Sequence, residues 1–224
     1  MEYFDKIIEE YSRAHEEEVG DEIKESGTKY SHQISCMISG TLKAGHHVYL
    51  VADWHLWRFD KKKKIIKPRS DFDTIIENYK KKVTDADLVI FMGDLIDGEV
   101  EKKRELGEVL DSLPGVKVLV RGNNDLFWDE YYKEHGFKYV TPKFIYNNML
   151  FSHIPQAHNT NLNIHAHIHG YATYWLPWNN MIDVAFVGAR KTPVDLKDVI
   201  EALPKYKKKV KVIPEKFGQE FATL

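Results

Sequence analysis

Cysteine is nearly absent from this 224-residue chain, in which Cys36 is the single example. One cysteine excludes a disulfide within the chain and suits a reducing compartment. Long apolar runs are missing too, because a stretch such as Leu88 to Met92 is far too short to span a bilayer. The first ten residues, MEYFDKIIEE, are acidic and lack the pattern of a signal peptide. We therefore expect a cytoplasmic protein that has no membrane partner.

A strong excess of charge of one sign is also missing. The formal net charge is -2 at pH 7, so no global field favours nucleic acid or an anionic membrane. Hydrophobic residues make up 43% and charged residues 29%, as in globular proteins that bury a core. The lysine runs Lys61–Lys64 and Lys207–Lys211 could attract a polyanion, but such runs are more often solvated surface.

Apolar periodicity predicts an α/β layered domain in which strands alternate with helices. Helices are predicted over residues 2–18, about 71–82, 98–111, 125–136 and 192–203. Thr192 would cap the last helix and Pro193 would take its first position. A basic loop is predicted at residues 58–70. Strands are predicted over residues 30–38, 47–53, 87–94, 116–125, 149–155, 162–170 and 181–188.

Four apolar strands run into polar residues of similar chemistry. VYLVAD ends at Asp53, VIFMGD at Asp94 and LFSH at His153, while VLVRGNND reaches Asn123. In layered α/β folds, ligands bind beyond the carboxyl ends of the strands. We therefore expect these four side chains to lie at one rim.

The stretch NIHAHIHG adds three histidines, His165, His167 and His169, which would share one face of an extended chain. Oxygen and imidazole donors together suit ions such as Zn, Mn or Fe. Seven donors exceed one tetrahedral site and suit two ions about 3.5–4 Å apart that share a carboxylate. The seven candidate metal ligands are Asp53, His55, Asp94, Asn123, His153, His167 and His169.

The order D-x-H, G-D, G-N-x-D, a lone histidine and H-x-H resembles the calcineurin-like metallophosphoesterase superfamily. The phrases ENYKKKVTDADLVIFMGD and DVAFVGARKTPVDLKDVI are similar to phrases in its small bacterial and phage-type members. The resemblance covers roughly residues 47 to 201. It implies a two-sheet β-sandwich flanked by helices, with metals at the sheet ends. We expect a core at 46–204, an N-terminal helix and strand extension at 1–45, and a tail at 205–224.

The resemblance also implies a role for each ligand. One ion would take Asp53, His55 and His169, and Asp94 would bridge it to the second ion. The remaining ligands of the second ion would be Asn123, His153 and His167. Asn123 would also orient the phosphate. The ions would be two divalent transition metals, with Mn, Zn, Fe and Ni all compatible.

Two positions depart from the family pattern. Asn124 stands where the family has a histidine that is proposed to protonate the leaving group, and Ala166 stands where the family has glycine. The candidate catalytic residues are Asp94, Asn123, Asn124 and Asp125, with Asp125 expected to orient its neighbours rather than act as an acid. His158 is a speculative replacement for the missing acid.

Three further sets of residues receive structural interpretations first. His165 is expected to pack beside the ligands, Asp97 to cap the helix after the GD motif, and the tryptophans to fill the core. Arg58 follows His55 by three residues, close enough to reach a substrate phosphate.

The main hypothesis is a phosphoric ester hydrolase, acting as phosphodiesterase or phosphatase by attack of a metal-bound hydroxide on phosphorus. The alternative is a catalytically weak metal-binding module that recognises phosphorylated ligands or nucleic acid, with Asn124 marking lost chemistry. A third hypothesis is a nuclease of the same fold that uses the lysine runs to follow a phosphate backbone. A phosphoester is the expected partner; nucleic acid is compatible but not required, and the sequence predicts no oligomeric state.

Overall fold

The computed structural model describes residues 30–60, 62–97, 100–156, 162–169, 175–176 and 181–206. The predicted helix over 2–18, His158 and the run Lys207–Lys211 lie outside the described residues. None of the helices in the described part of the chain combines the length and apolarity needed to cross a bilayer.

The described helices are α1 (Ser31–Lys43), α2 (Phe72–Lys82), α3 (Lys103–Asp111), α4 (Asp129–Glu134) and α5 (Leu196–Tyr206). The strands are β1 (Val48–Val51), β2 (Trp57–Asp60), β3 (Ile65–Pro68), β4 (Leu88–Phe91), β5 (Val116–Val120), β6 (Phe137–Thr141), β7 (Lys143–Tyr146), β8 (Met149–Ser152), β9 (Leu162–His165), β10 (Trp175–Leu176), β11 (Met181–Asp183) and β12 (Val194–Asp195).

Two five-stranded sheets and one hairpin contain these strands. Sheet I has the order β12-β1-β4-β5-β6, in which only β12 pairs antiparallel with its neighbour. Sheet II has the order β10-β11-β9-β8-β7, with three parallel central strands and an antiparallel strand at each edge. The strands β2 and β3 form a separate antiparallel hairpin.

The main core lies between the two sheets. Ile90 and Val118 of sheet I share one buried cluster with Phe151 and Ile164 of sheet II, and Ile38 of α1 belongs to the same cluster. Burying such a side chain completely contributes about 1.5–3 kcal/mol, so this layer makes a large apolar contribution to stability. The predicted fold class, a two-sheet sandwich flanked by helices, is confirmed.

Sheet I is buried on its second face as well. Val51 and Phe91 point away from the sandwich and pack in a second cluster with Tyr79 of α2, Leu106 of α3 and Tyr132 of α4. Parallel strands that are covered on both faces read as continuous apolar runs. This explains why LVIF and VKVLV carry almost no polar residues.

The predicted strand at residues 30–38 is wrong, because residues 31–38 lie in helix α1 and Tyr30 precedes its first turn. Its apolar residues also satisfy helical spacing, and Ile34, Met37 and Ile38 are buried on one face. The hydroxyl of Ser31 accepts a hydrogen bond from the Ile145 amide at 3.0 Å. The hydroxyl of Ser35 donates one to the Ile145 carbonyl at 3.0 Å. The helix thus covers the exposed edge of sheet II, a tertiary role that local alternation does not show.

The basic loop predicted at 58–70 is also wrong, because it contains the hairpin β2–β3. The carboxylate of Asp60 accepts hydrogen bonds from the amides of Lys62 and Lys63 and lies 2.7 Å from the Lys67 ammonium. These contacts close the turn that separates the two strands. The described lysines of the run are exposed, in agreement with solvated surface.

The last helix begins later than predicted. Val194 and Asp195 pair with β1, so Thr192 and Pro193 do not begin the helix. The Asp195 carboxylate instead accepts a hydrogen bond from the Lys197 amide at 2.9 Å, the contact expected of an N-terminal cap.

Candidate metal centre

The candidate ligands follow the carboxyl ends of strands from both sheets. Asp53, Asp94 and Asn123 come two or three residues after β1, β4 and β5. These strands are paired in register, with Val51 opposite Phe91, so the residues that follow them emerge at one edge. His153 comes directly after β8 of sheet II. The structure therefore brings together the four strand-end residues at a common rim.

Asp53, His55, Asp94 and His169 form the first cluster, in which one ligand atom from each lies within 4.8 Å of the others. The Nε2 atoms of His55 and His169 are 2.9 Å apart. His169 Nε2 is 3.7 Å from Asp53 Oδ1, and His55 Nε2 is 3.6 Å from Asp94 Oδ2. Only His169 is partly exposed, so the cluster opens to solvent on its side.

Asp94, His153 and His167 form the second cluster. His153 Nε2 lies 3.4 Å from Asp94 Oδ2 and 3.2 Å from His167 Nδ1. The Oδ1 atom of Asn123 is 3.1 Å from the same nitrogen, so this amide joins the second cluster. Asp94 belongs to both clusters, which is the arrangement expected of a carboxylate shared by two cations.

Contacts on the far side of two imidazoles orient their lone pairs into the clusters. His153 Nδ1 donates to the carbonyl of Met92 at 2.7 Å, and His55 Nδ1 donates to the carboxylate of Asp97. A carbonyl or carboxylate oxygen only accepts, so in the neutral ring the Nε2 atom carries the lone pair. Such outer partners are typical of metal-binding histidines. Asp97 therefore holds His55. The described helical segment that follows begins with a 3-10 turn at Val100, and the role of Asp97 as its cap stays a prediction.

The arrangement of acceptors fits a bound cation. The Nε2 atoms of His55 and His153 both face the Asp94 carboxylate. The Oδ2 atom of Asp53 is buried and has no hydrogen-bond partner among the residues that the structure describes. Buried acceptors that face one another with no donor between them are costly, and divalent cations placed between them would satisfy them.

Asp53 and Asp94 differ in pKa because their burial and their charged neighbours differ. Burial raises the pKa of Asp53 to about 7, although His153 and His55 oppose the shift. Burial alone would also raise the pKa of Asp94, but the hydrogen bond and charge of His153 and the hydrogen bonds from Asn124 outweigh it and lower the pKa to about 2. Burial lowers the pKa of His153, yet the contact with Asp94 outweighs it and the net shift is upward. The neighbourhood of Asp94 thus favours positive charge.

The pKa values of the two histidines at the open side are lowered, which favours the neutral form that binds metal. Burial lowers the pKa of His169 to about 4, with further contributions from the positive charges of Arg190, His55 and Arg58. Burial and the charge of His153 lower the pKa of His167. Arg58, for which we expected contact with a phosphate, thus acts electrostatically on the centre.

The three histidines of NIHAHIHG do not share a face, contrary to the expectation for an extended chain. Strand β9 ends at His165, after which His167 and His169 adopt left-handed backbone with φ of 69° and 52°. His165 is buried, and its Nδ1 atom donates to the Ala166 carbonyl at 3.0 Å. It belongs to neither cluster, in agreement with its expected packing role.

Glycine is required where the two strand-end turns meet. A Cβ atom on Gly122 would lie 2.1 Å from Asp94 Oδ1, and one on Gly93 would lie 2.6 Å from His153 Nδ1. Gly93 also has a φ of +86°. The glycines of the GD and GN motifs therefore admit the shared carboxylate and its histidine neighbour.

The GNND turn holds Asp94 from two sides. The backbone amide of Asn124 donates to Asp94 Oδ1 at 3.0 Å, and its side-chain amide donates to Asp94 Oδ2 at 2.8 Å. The Asp125 carboxylate accepts hydrogen bonds from the amides of Asp94, Leu95 and Gly122. Burial raises the pKa of Asp125. Its contacts fix the backbone around Asp94, and its role as an orienting group stays a prediction.

Known proteins from several organisms are similar to this chain. An uncharacterized protein of Methanocaldococcus jannaschii is 28% identical over 173 residues, which are 71% of this chain and 93% of that protein. A protein of unknown function from Aquifex aeolicus has a crystal structure that matches with a TM-score of 0.48, 19% identity and coverage of 69% of this chain and 98% of that one. The crystal structure of nuclease MPE from Pseudomonas putida matches with a TM-score of 0.43, 15% identity and coverage of 62% and 74%. The sequence profile of the calcineurin-like phosphoesterase family matches residues 46–214. The chain belongs to the calcineurin-like phosphoesterase family.

Proposed function

We propose that this chain is a phosphoesterase that depends on two divalent metal ions. The observation that carries the proposal is the pair of ligand clusters that meet at Asp94. Asp53, His55 and His169 would hold one ion together with Asp94. The remaining set, Asn123, His153 and His167, would hold the second ion. When bound, the two ions would supply a nucleophilic water at neutral pH and positive charge for the phosphoryl oxygens.

The side chains of this centre prepare the site for a phosphate. Asn123 is exposed at the rim while its Oδ1 faces His153, so its amide group is placed to donate to a phosphoryl oxygen. The positive charges of Arg58 and Arg190 act on His169 at the open side. Cationic groups around this opening would attract a phosphoester and stabilise the charge that develops on its oxygens.

Asn124 limits the class of substrates. Its amide cannot donate a proton to a departing oxygen at neutral pH, and its side chain contacts Asp94 instead. We therefore expect hydrolysis of phosphodiesters or phosphomonoesters whose leaving groups depart without a strong acid. The same residue supports the alternative, a catalytically weak module that binds phosphorylated ligands.

Metal content and hydrolysis, measured together, test the proposal. The metal-free protein is reconstituted with Mn²⁺, Ni²⁺ or Zn²⁺ and assayed with 4-nitrophenyl phosphate and bis(4-nitrophenyl) phosphate. We expect two ions per chain and activity that requires them. Asp94→Asn should weaken both sites because it removes charge from the shared ligand, whereas His169→Ala should weaken mainly one.

His135→Asn serves as the matched control, because His135 contacts Asp111 and lies in neither cluster. It should keep two ions and full activity. A wild-type value near one ion per chain at saturating metal would contradict the dinuclear centre. Two bound ions without hydrolysis of either ester would favour the binding module.

A further inference from the structure

The turn from Asp53 to Leu56 presents two of the candidate ligands in a strained backbone. Asp53 and His55 have φ values of 48° and 44°, in the left-handed region that residues with a Cβ atom rarely adopt. The amides of Asp53, His55 and Leu56 donate to the carbonyls of Gly93, Asp94 and Leu95. These bonds account for three of the four amides of the turn but leave its carbonyls to other partners.

Arg69 contacts three carbonyls of the same turn. Its Nη1 atom donates to the Trp54 carbonyl at 2.9 Å and, more weakly, to the Asp53 carbonyl at 3.4 Å. Its backbone amide donates to the Leu56 carbonyl at 2.9 Å. Arg190 also reaches the Asp53 carbonyl, at 3.4 Å from its Nε atom. Buried carbonyls need such partners, and charged donors form the stronger hydrogen bonds.

Asp71 in turn orients the Arg69 guanidinium. Its two carboxylate oxygens pair with Nε and Nη2 of Arg69, the second at 3.1 Å. The same carboxylate lies 3.4 Å from the Lys191 ammonium. The Arg69 side chain is only 10% exposed, so the pair is shielded from solvent and holds a defined geometry.

We propose that Arg69, oriented by Asp71, is a positioning residue for one of the two ion sites. The inference rests on the proposed function. Arg69 holds the turn in the conformation that presents Asp53 and His55, which belong to the first cluster alone. The second cluster takes Asp94 and its histidines from other loops, so loss of Arg69 weakens the two sites unequally.

The chemistry of the contact calls for arginine rather than lysine. One guanidinium pairs with both oxygens of Asp71 while a third N–H reaches the Trp54 carbonyl. An ammonium group has no planar fork and cannot keep these three directions together. Arg69→Lys therefore retains the positive charge but cannot contact Asp71 and the Trp54 carbonyl together, so it does not hold the turn in place.

Metal titration of the full-length, metal-free protein tests this role. Mn²⁺ binding is followed by calorimetry and by metal analysis for the wild type, Arg69→Gln, Arg69→Lys and Asp71→Asn. We expect the wild type to bind two ions. Each variant should keep one ion at near wild-type affinity and lose roughly 10–100-fold in affinity for the other, the usual effect of removing a group that orients metal ligands. Lys67→Gln removes an exposed cation two residues before Arg69 and should leave both affinities unchanged.

A second measurement follows the turn from Asp53 to Leu56 in the metal-free protein. Hydrogen exchange of the His55 and Leu56 amides should be faster in metal-free Arg69→Gln than in the wild type or Lys67→Gln, because the Asp53 and Trp54 carbonyls lose their contacts with the guanidinium.

Unchanged exchange with two unchanged affinities in folded Arg69→Gln would overturn the inference. An equal loss at both sites would also overturn it, because that is the result of general destabilisation. Should Arg69→Gln not fold, Arg69→Lys and Asp71→Asn must show the selective loss themselves. A wild type that fails to bind two ions contradicts the proposed function instead, and the exchange rates of the metal-free proteins then decide the role of Arg69.

Discussion

Protonation of His165 should make the metal-free protein lose stability below pH 6.5. Burial lowers the pKa of this imidazole from 6.5 to about 4, and the positive charges of His153 and His167 add to the shift. Between pH 6.5 and about pH 4, His165 binds a proton in the unfolded chain but not in the folded chain. Stability therefore falls as the pH drops from about 6.5 to about 4, and this effect is absent above pH 6.5 and constant below pH 4.

The size of the effect follows from the shift. A difference of about 2.5 pKa units corresponds to about 3 kcal/mol, since one unit is worth 1.36 kcal/mol. That is a large part of the roughly 5–15 kcal/mol by which a domain is stable. The variant His165→Asn removes the titrating ring and keeps an N–H that can replace Nδ1 toward the Ala166 carbonyl.

Urea unfolding at pH 7.5, 6.5, 5.5 and 4.5, with chelator present, measures the prediction. His165→Asn should be less stable than the wild type at pH 7.5, because asparagine leaves a cavity in a packed site. The difference between the two proteins should shrink or reverse toward pH 4.5 by about 2–3 kcal/mol. His135→Asn controls for the exchange of one histidine and should follow the wild type. If the free energies of unfolding of the wild type and His165→Asn changed with pH in parallel, protonation of His165 could not be the cause of the loss of stability.

Three other substitutions test the centre itself. Asp97→Ala should lower metal affinity about 10–100-fold because it removes the acceptor that orients His55, and calorimetric titration would reveal an unchanged affinity if the contact had no role. Gly122→Ala should displace the Asp94 carboxylate, which a Cβ atom would approach to 2.1 Å, so metal analysis should show weaker binding at both sites; two tightly held ions would argue against the tight fit. Asn124→His should help esters of alkyl alcohols more than aryl esters, by up to the 10²–10⁴-fold typical of a positioned acid, and a wild-type rate that is independent of leaving-group pKa would exclude a missing acid.

The sequence was most informative where the geometry of the sheet fixes the position of side chains. Asp53, Asp94 and Asn123 could be placed at one rim because each follows an apolar strand, and parallel neighbouring strands end at the same edge. The hydrophobic runs predicted these strands because their burial on both faces leaves no room for polar residues.

Prediction failed where tertiary contacts choose between local structures. The alternation at residues 30–38 fits a strand as well as a helix, and only the edge of sheet II, covered through Ile145, distinguishes them. Strands β6 and β7 were not predicted, since they are short and partly exposed. Asn147 and Asn148, both with positive φ, join β7 to β8 in a tight hairpin, and this Asn-Asn pair was a usable signal.

Backbone strain at the centre could not be predicted, and it bears directly on function. Five of the candidate ligands have left-handed backbone although none is glycine; they are Asp53, His55, Asp94, His167 and His169. Each such residue costs about 1–3 kcal/mol, so together they cost an amount comparable to the stability of a whole domain. Arg69 donates to the Trp54 carbonyl, and the Asp94 amide donates to the Asp125 carboxylate. These hydrogen bonds offset part of the cost because they fix the two loops that follow β1 and β4. Packing alone gives no reason to keep ligands in such conformations, because relaxed backbone would bury the same apolar surface. The strain is instead explained by the convergence of the ligands on Asp94, where the free energy of cation binding would offset the cost of the strained backbone.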